Sequence, residues 1–238
     1  MNAMLQAVKH GLKILFMPLM VTIRDGPLKG RKWIATSGSK FVRGTYESYN
    51  TQLFADALRE GQVVFDVGAH VGYYTAIASL RVGPKGRVFS FEPRPINLKF
   101  LRRHIKANDL GNVSVTAACV GDKMGEARFD TNTGTGTGHI ADDGDLGVDM
   151  VCLDELVKSG RLPAPNFMKI DVEGAEQLVL AGAEHVINSA RPTMLISTHG
   201  DDNHEAVLKY LDAHSYTYEL LDRRDPPENR ELFARPKA

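Results

Sequence analysis

The stretch VVFDVGAHVGYYT (63–75) runs apolar up to Asp66, and Gly68 and Gly72 then bracket the turn that follows. An acid at a strand end, small residues, then a helix start is the pattern of a turn that receives a nucleotide-like ligand. Spacing narrows the ligand. A dinucleotide turn follows G-x-G-x-x-G, whose middle glycine admits a pyrophosphate, and His70 stands in that place here. No G-K-S/T triplet is present for a phosphate-cradling loop. The turn therefore suits a ligand without phosphates. S-adenosylmethionine (SAM) has that form: an adenine, a ribose and a zwitterionic methionine tail. Asp66 can take its ammonium group directly or through a water. The helix opening near Gly72 offers free N–H groups to its carboxylate. Gly68, Ala69, His70 and Tyr73 complete the expected cofactor turn. A tight strand–helix turn without a ligand is the alternative reading of this stretch alone.

A second strand, GRVFSFEP (86–93), ends in Glu92 and Pro93. In nucleotide-binding α/β folds an acid at this place, roughly 20 residues after the first turn, accepts the ribose hydroxyls. A carboxylate has two acceptor oxygens and matches a vicinal diol. The gap is longer here because a full helix and the P-K-G turn intervene. An acid ending a strand can also serve as a helix cap, so the reading depends on its pairing with Asp66.

A third group could carry the reaction itself. Methyl transfer from a sulfonium is an in-line displacement, so most of the work is positioning, and an alcohol acceptor must lose a proton as it attacks. Asp171, Glu173 and His199 follow two later strands, and histidine's ordinary pKa suits a base at physiological pH. Each also has a structural alternative: Asp171 as a helix cap, Glu173 as a complement to a helix dipole, His199 as a loop hydrogen bonder. Lys169 alternates with apolar neighbours in its strand and is expected to pack or pair near the site. Glu47, in GTYES, is placed either over the cofactor or on the surface.

The elements that position these residues read off the periodicity. Strands are expected at 63–67, 87–91, 113–117, 166–171 and 193–198, and helices at 72–82, 95–108, 174–187 and 203–213. Alternation of this kind predicts an α/β fold with a doubly wound, mostly parallel sheet. YTYELL (216–221) and NRELFARP (229–236) read as a closing antiparallel pair. Before the first strand, a helix to about Pro18, a hairpin pairing 21–24 with 32–35 and a helix over 49–59 are expected. The domain reading is an extension over 1–48 and a main domain over 49–238. TNTGTGTGHIADDGDLG (131–147) is too rich in Gly, Thr and Asp for a core element. It is expected to join two short strands, EARFD and VDMVCL, as a mobile lid or substrate loop. Its acids lack calcium-loop spacing, so no metal is assigned to it.

FDVGAHVGYY, FEPRPINLKFLRRHIKAN, CVGDKMGEARF, LDEL and FMKIDVEGAEQLVLAGA together resemble the FkbM-type SAM-dependent methyltransferases. The resemblance runs from about Tyr46 to His199, and KIDVEGAE (169–176) is its most specific piece. It implies a class I, Rossmann-like seven-strand fold, SAM as methyl donor, Val120 among the cofactor residues, and a hydroxyl acceptor on a sugar, glycolipid or secondary metabolite. In one place the chain departs from it. Many members carry a glutamate in an E-x-H-like sequence near the fifth strand, and LISTHG (195–200) offers Ser197 there while keeping His199.

Composition bounds the remainder. The 238 residues suffice for one α/β domain, and 29 basic against 29 acidic residues give no electrostatic reason to bind nucleic acid. Two cysteines, Cys119 and Cys152, cannot build a disulfide framework and point to a reducing, cytoplasmic setting. Cys119 falls near the adenine end and reads as a small buried apolar residue. ILFMPLMVTI (14–23), after Lys9 and Lys13, lacks a small-x-small cleavage site. Its interleaved lysines suggest peripheral contact with the inner membrane face instead. Three competing functions are kept: a Mg²⁺-assisted O-methyltransferase with Asp171, Glu173 and His199 as ligands, a non-catalytic SAM-binding protein, and an NAD-dependent oxidoreductase, which His70 disfavours.

Overall fold

The computed structural model describes residues 19–131, 139–140, 143–221 and 230–237. The expected helix before Pro18 lies outside them, as does part of the 131–147 loop. The hairpin is present with shorter strands than the expected 21–24 and 32–35: β1 (Met20–Thr22) pairs antiparallel with β2 (Lys32–Ile34). Helices α1 (Ser39–Arg43) and α2 (Ser48–Ala57) lead into the alternating part of the chain.

That part follows the apolar pattern. β3 (Val63–Val67), β4 (Arg87–Phe91), β5 (Val113–Thr116), β10 (Phe167–Ile170) and β11 (Thr193–Thr198) are parallel. α3 (Tyr73–Val82) and α4 (Pro95–Ala107) make the first two crossovers, and α8 (Asp201–Ala213) follows β11. β12 (Tyr216–Leu220) and β13 (Arg230–Pro236) close the sheet antiparallel, in the order β12-β13-β11-β10-β3-β4-β5. β3, β4 and β10 are buried on both faces except at their first residues at most, as a sheet covered on both sides by helices requires.

Three details depart from the sequence reading. The expected helix over 174–187 is two: α6 (Glu176–Ala181) and α7 (Glu184–Ala190). The break lets Gly182 lie against the chain, where an added Cβ would stand 2.0 Å from the Gly121 carbonyl oxygen. Asp154, in α5 (Leu153–Lys158), then accepts the His185 and Val186 N–H groups at 2.8 and 2.9 Å and restarts the helix. Second, β5 stops at Thr116, and the chain leaves the main sheet as β6 (Ala118–Val120). Third, the strands flanking the Gly/Thr-rich loop, β7 (Gly125–Asp130) and β9 (Leu146–Val151), pair with each other. With β6 and β8 (His139–Ile140) they form a second sheet, β6-β9-β7-β8.

The described part of the 1–48 extension shares the core of the main domain. Trp33 is fully buried and stacks on His104 with ring centroids 3.6 Å apart. The Ile34 N–H donates to His104 Nε2 at 3.0 Å, and His104 Nδ1 bonds the Val71 carbonyl at 2.8 Å. Burial pulls the His104 pKa down to about 4, so the ring is neutral and can join these two backbones. Among the described residues no helix is long and apolar enough to cross a membrane. Cys119 and Cys152 are buried free thiols.

Candidate active site

A cavity of about 240 Å³ opens over the carboxyl ends of β3, β4 and β10. This is where ligands sit in open α/β sheets. Asp66, Gly68, Ala69, His70 and Tyr73 line one side; Glu92, Pro93 and Val120 a second; Asp171 and Glu173 a third. Cys119 and Phe91 border the Val120 end, as expected of an apolar slot, and Phe41 and Tyr46 of the extension complete the wall beside Tyr73. Gly72 is not among the lining residues. A Cβ there would stand 2.4 Å from Leu101 Cδ1, so this glycine serves the packing of α3 on α4.

Asp66 ends its strand buried at 1% exposure. Its Oδ2 accepts the Thr75 hydroxyl at 2.5 Å, while its buried Oδ1 has no hydrogen-bond partner among the described residues. Burial raises its pKa to about 6 against the Thr75 bond and the charge of Lys169. Asp66 lines the cavity, and a buried carboxylate oxygen without a donor is suited to a cationic group. Gly68 is required for a different reason than the ligand. It has φ +83°, and a Cβ would lie 1.8 Å from the Asp171 carbonyl oxygen, so the turn fits against β10's exit only without a side chain.

Glu92 is also an organiser of its own turn. Its Oε2 accepts the His70 N–H at 2.8 Å; its Oε1 accepts the Arg94 N–H at 2.8 Å and Asn97 Nδ2 at 3.2 Å. The first of these bonds holds His70 at φ +50°, a left-handed conformation costly for a residue with a side chain. Burial raises the Glu92 pKa, and the two amides and Asn97 oppose it.

The third wall is a charge cluster. Lys169, 1% exposed, places Nζ 2.5 Å from Asp171 Oδ2 and 4.8 Å from the centre of the Tyr74 ring. The Tyr74 hydroxyl donates to Glu47 Oε2 at 2.7 Å, which brings Glu47 to the interior side of the extension. Burial alone would neutralise Lys169, but Asp171, Glu231 and Glu47 outweigh it and keep the ammonium charged. Burial would likewise protonate Asp171, and Lys169 reverses that and lowers its pKa. Asp171 therefore pairs with Lys169 rather than capping a helix.

His199 leaves β11 with its Nδ1 2.9 Å from Glu176 Oε1. Its Nε2 lies 3.8 Å from Asp171 Oδ1 and 3.5 Å from Glu173 Oε2. The structure thus gathers the three residues expected to carry chemistry. Burial would lower the His199 pKa, but the Glu176 bond and the charges of Asp171 and Glu173 raise it to about 9. The ordinary imidazole value expected from sequence is corrected accordingly. Glu173, at φ +55°, has its pKa raised by burial against the His199 charge. One ligand atom from each of Asp171, Glu173 and His199 lies within 4.8 Å of the others, a spacing that could hold a divalent cation.

Sequence reading missed three participants. Glu176 lies in the KIDVEGAE motif, yet only the fold shows it meeting His199. Asn203 reaches Glu176 Oε2 from α8, and no local signal marks it. Glu231 is the register partner of Ser197 across β13 and accepts its hydroxyl at 2.5 Å. An acid thus stands beside position 197 after all, supplied by the neighbouring strand. Its pKa is raised by burial to about 7.

This arrangement, a parallel sheet closed by an antiparallel pair with acids at the ends of the first two parallel strands, is that of the class I, Rossmann-like methyltransferases. Residues 66–220 match the family model described as the methyltransferase FkbM domain, and the chain belongs to that family. It is 29% identical to the hexuronic acid methyltransferase AglP of Haloferax volcanii over 162 residues, 67% of this chain and 65% of that protein. It is also 29% identical to the 31-O-demethyl-FK506 methyltransferase FkbM of Streptomyces tacrolimicus, covering 71% of this chain and 77% of the relative. A crystal structure of methyltransferase FkbM from Methylobacillus flagellatus KT superposes with TM-score 0.55 at 20% identity, over 83% of this chain and 53% of that one. The chain therefore spans about two thirds of the first relative's length and about half of that solved structure.

Proposed function

We propose that the protein is a SAM-dependent O-methyltransferase whose acceptor is a hydroxyl on a sugar, glycolipid or secondary metabolite. The observation that carries this is the pairing, across one cavity, of a buried Asp66 oxygen without a donor with Asp171 and Glu173, both of which lie within 3.8 Å of His199 Nε2, although His199 is not itself among the lining residues. The names of the two relatives, a hexuronic acid methyltransferase and a 31-O-demethyl-FK506 methyltransferase, support acceptors of this class.

The residues present fit the cofactor. Asp66 Oδ1 would receive the ammonium group, and Glu92 would take the ribose diol with the lone pairs its own turn leaves free. Cys119 and Val120 would border the adenine. When bound, SAM supplies an electrophilic methyl carbon on a sulfonium. His199 is assigned the acceptor's proton, taken at Nε2, the nitrogen turned toward Asp171 and Glu173. Asp171 and Glu173 are assigned to hold acceptor hydroxyls. The 1–48 extension contributes a cavity wall through Phe41 and Tyr46.

The test is calorimetric SAM binding followed by transfer of labelled methyl to a panel of uronic acid glycosides, neutral sugars and lipid extracts. Absence of SAM binding by the folded protein would sink the assignment. A second reading is favoured by the convergence of Asp171, Glu173 and His199: a divalent cation there would polarise a diol. Turnover abolished by EDTA and restored by Mg²⁺ selects it; turnover indifferent to EDTA selects the metal-free route. The reading also places the protein in the cytoplasm, supported by its two free thiols, with peripheral contact to the inner membrane face through the N-terminal segment. Sedimentation with anionic vesicles checks the latter.

A further inference from the structure

We propose that Glu176 is the positioning residue of the acceptor side: it sets which nitrogen of His199 faces Asp171 and Glu173, and it holds the turn that carries Glu173. The role assigned to that nitrogen rests on the methyltransferase reading; the positioning itself does not.

Glu176 is fully buried, so it acts through the residues it bonds; neither it nor His199 is among the residues lining the cavity. A carboxylate in that position is costly unless every oxygen is satisfied. Two N–H donors and one imidazole nitrogen meet it. Oε1 accepts the Gly174 N–H at 3.1 Å and lies 2.9 Å from His199 Nδ1, and Oε2 accepts Asn203 Nδ2. Both oxygens already accept an N–H, the arrangement that suits a carboxylate, and a carboxylate only accepts, so the proton between it and His199 is assigned to Nδ1. Neutral His199 is then the Nδ1–H tautomer, and its lone pair is on Nε2, toward Asp171 and Glu173.

The Gly174 bond does a second job. Glu173 and Gly174 sit at φ +55° and +103°, a left-handed turn unfavourable for a residue with a side chain. By accepting the Gly174 N–H, Glu176 stabilises the backbone that directs Glu173 at His199. One buried carboxylate thereby places two of the three cluster members.

Asn203 makes a discriminating variant available. Its buried Oδ1 has no partner among the described residues. In Glu176→Gln, an amide flip of Asn203 would present that oxygen to the new NH₂, leaving the glutamine oxygen on Gly174 and His199. Glu176→Gln should therefore conserve the arrangement, whereas Glu176→Ala should lose it.

Nitrogen-15 NMR of the full chain reads this directly. Above pH 9, where His199 is neutral, the wild type should show one downfield, protected imidazole proton on Nδ1, missing from His199→Ala. Glu176→Gln should keep it, moved upfield by the neutral acceptor, and Glu176→Ala should lose it. A wild-type proton confined to Nε2, no protected proton at all, or one unchanged in Glu176→Ala would each overturn the proposal. If Glu176→Ala fails to fold, the wild type and Glu176→Gln still decide. SAM titration of the same samples separates the two claims. Failure of wild-type SAM binding defeats the methyltransferase reading and leaves the Nδ1 result standing.

Discussion

Replacing Glu92 by glutamine and by alanine separates its two duties, building the turn and meeting a ligand. The carboxylate accepts two backbone N–H groups and one side-chain amide, all in a site 4% exposed. Alanine leaves the His70 and Arg94 amides without an acceptor, at about 1–3 kcal/mol each. A loss of roughly 2–6 kcal/mol is therefore expected for Glu92→Ala, enough to consume much of a typical domain's stability. Glutamine keeps one acceptor oxygen but turns an NH₂ toward at least one of those donors, so its stability loss should fall near the lower end. A contact to the ribose diol adds a separate binding effect. A charge-assisted bond is worth about 1.5–3 kcal/mol, so Glu92→Gln should weaken SAM binding roughly 10- to 100-fold. Thermal unfolding and calorimetric SAM titration of both variants give the two quantities independently. Glu92→Gln with wild-type SAM affinity would refute the ribose assignment. Glu92→Ala with a wild-type melting temperature would refute the claim that the acid builds the turn.

Gly68→Ala should fail to fold or lose most of its stability, because a Cβ would meet the Asp171 carbonyl oxygen at 1.8 Å. A folded Gly68→Ala protein with normal melting temperature would show that the close approach of the two turns is wrong. Trp33→Ala should cost about 3–5 kcal/mol, the price of a large core aromatic, read as a fall in thermal midpoint. A change under 1 kcal/mol would mean that the extension is not integral to the fold. The kcat/KM profile should rise about tenfold per pH unit and level off near pH 9 as His199 loses its proton, and His199→Ala should lower turnover about 10²–10⁴-fold with SAM affinity kept. Because folding raises this pKa above the unfolded value of about 6.5, its stabilisation is complete below that value and fades as pH rises toward 9. A plateau already reached at pH 7 would remove His199 as a base in the environment described.

The parallel order and the strand-end acids were legible because both depend on local pattern. β3 and β4 match the expected 63–67 and 87–91 to the residue, since buried parallel strands are continuous apolar runs and their ends are marked by Asp66 and Glu92. Short elements were not legible in the same way. β6 has three residues and β8 two, too few for a period to declare itself, so the second sheet appears only when tertiary pairing selects it. The split of 174–187 illustrates a different limit, because Gly182 is tolerable in a helix pattern and its real constraint is the Gly121 backbone, distant in the chain. Gly68 shows the same division within the site. Its presence in the turn was expected for a ligand, whereas the atom that forbids a side chain belongs to Asp171.

Electrostatics were the least legible of all, for a physical reason. A histidine's titration depends on how many charges the fold assembles around it, and His199 collects Asp171 and Glu173 from the exit of β10 and Glu176 from the helix beyond. Sequence proximity offers no measure of that sum, since His199 stands more than twenty residues from each of the three. The case of Ser197 makes the same point from the other side. Read along the chain, position 197 is a place where an acid is lacking. Read across the antiparallel register, Glu231 stands opposite it and accepts its hydroxyl. A buried acid near Lys169 is therefore a property of two adjacent strands, and a substitution at 197 removes the hydroxyl that Glu231 accepts. Removing the acid's charge by Glu231→Gln should lower the pKa of Lys169, which Glu231 helps keep charged beside Asp171.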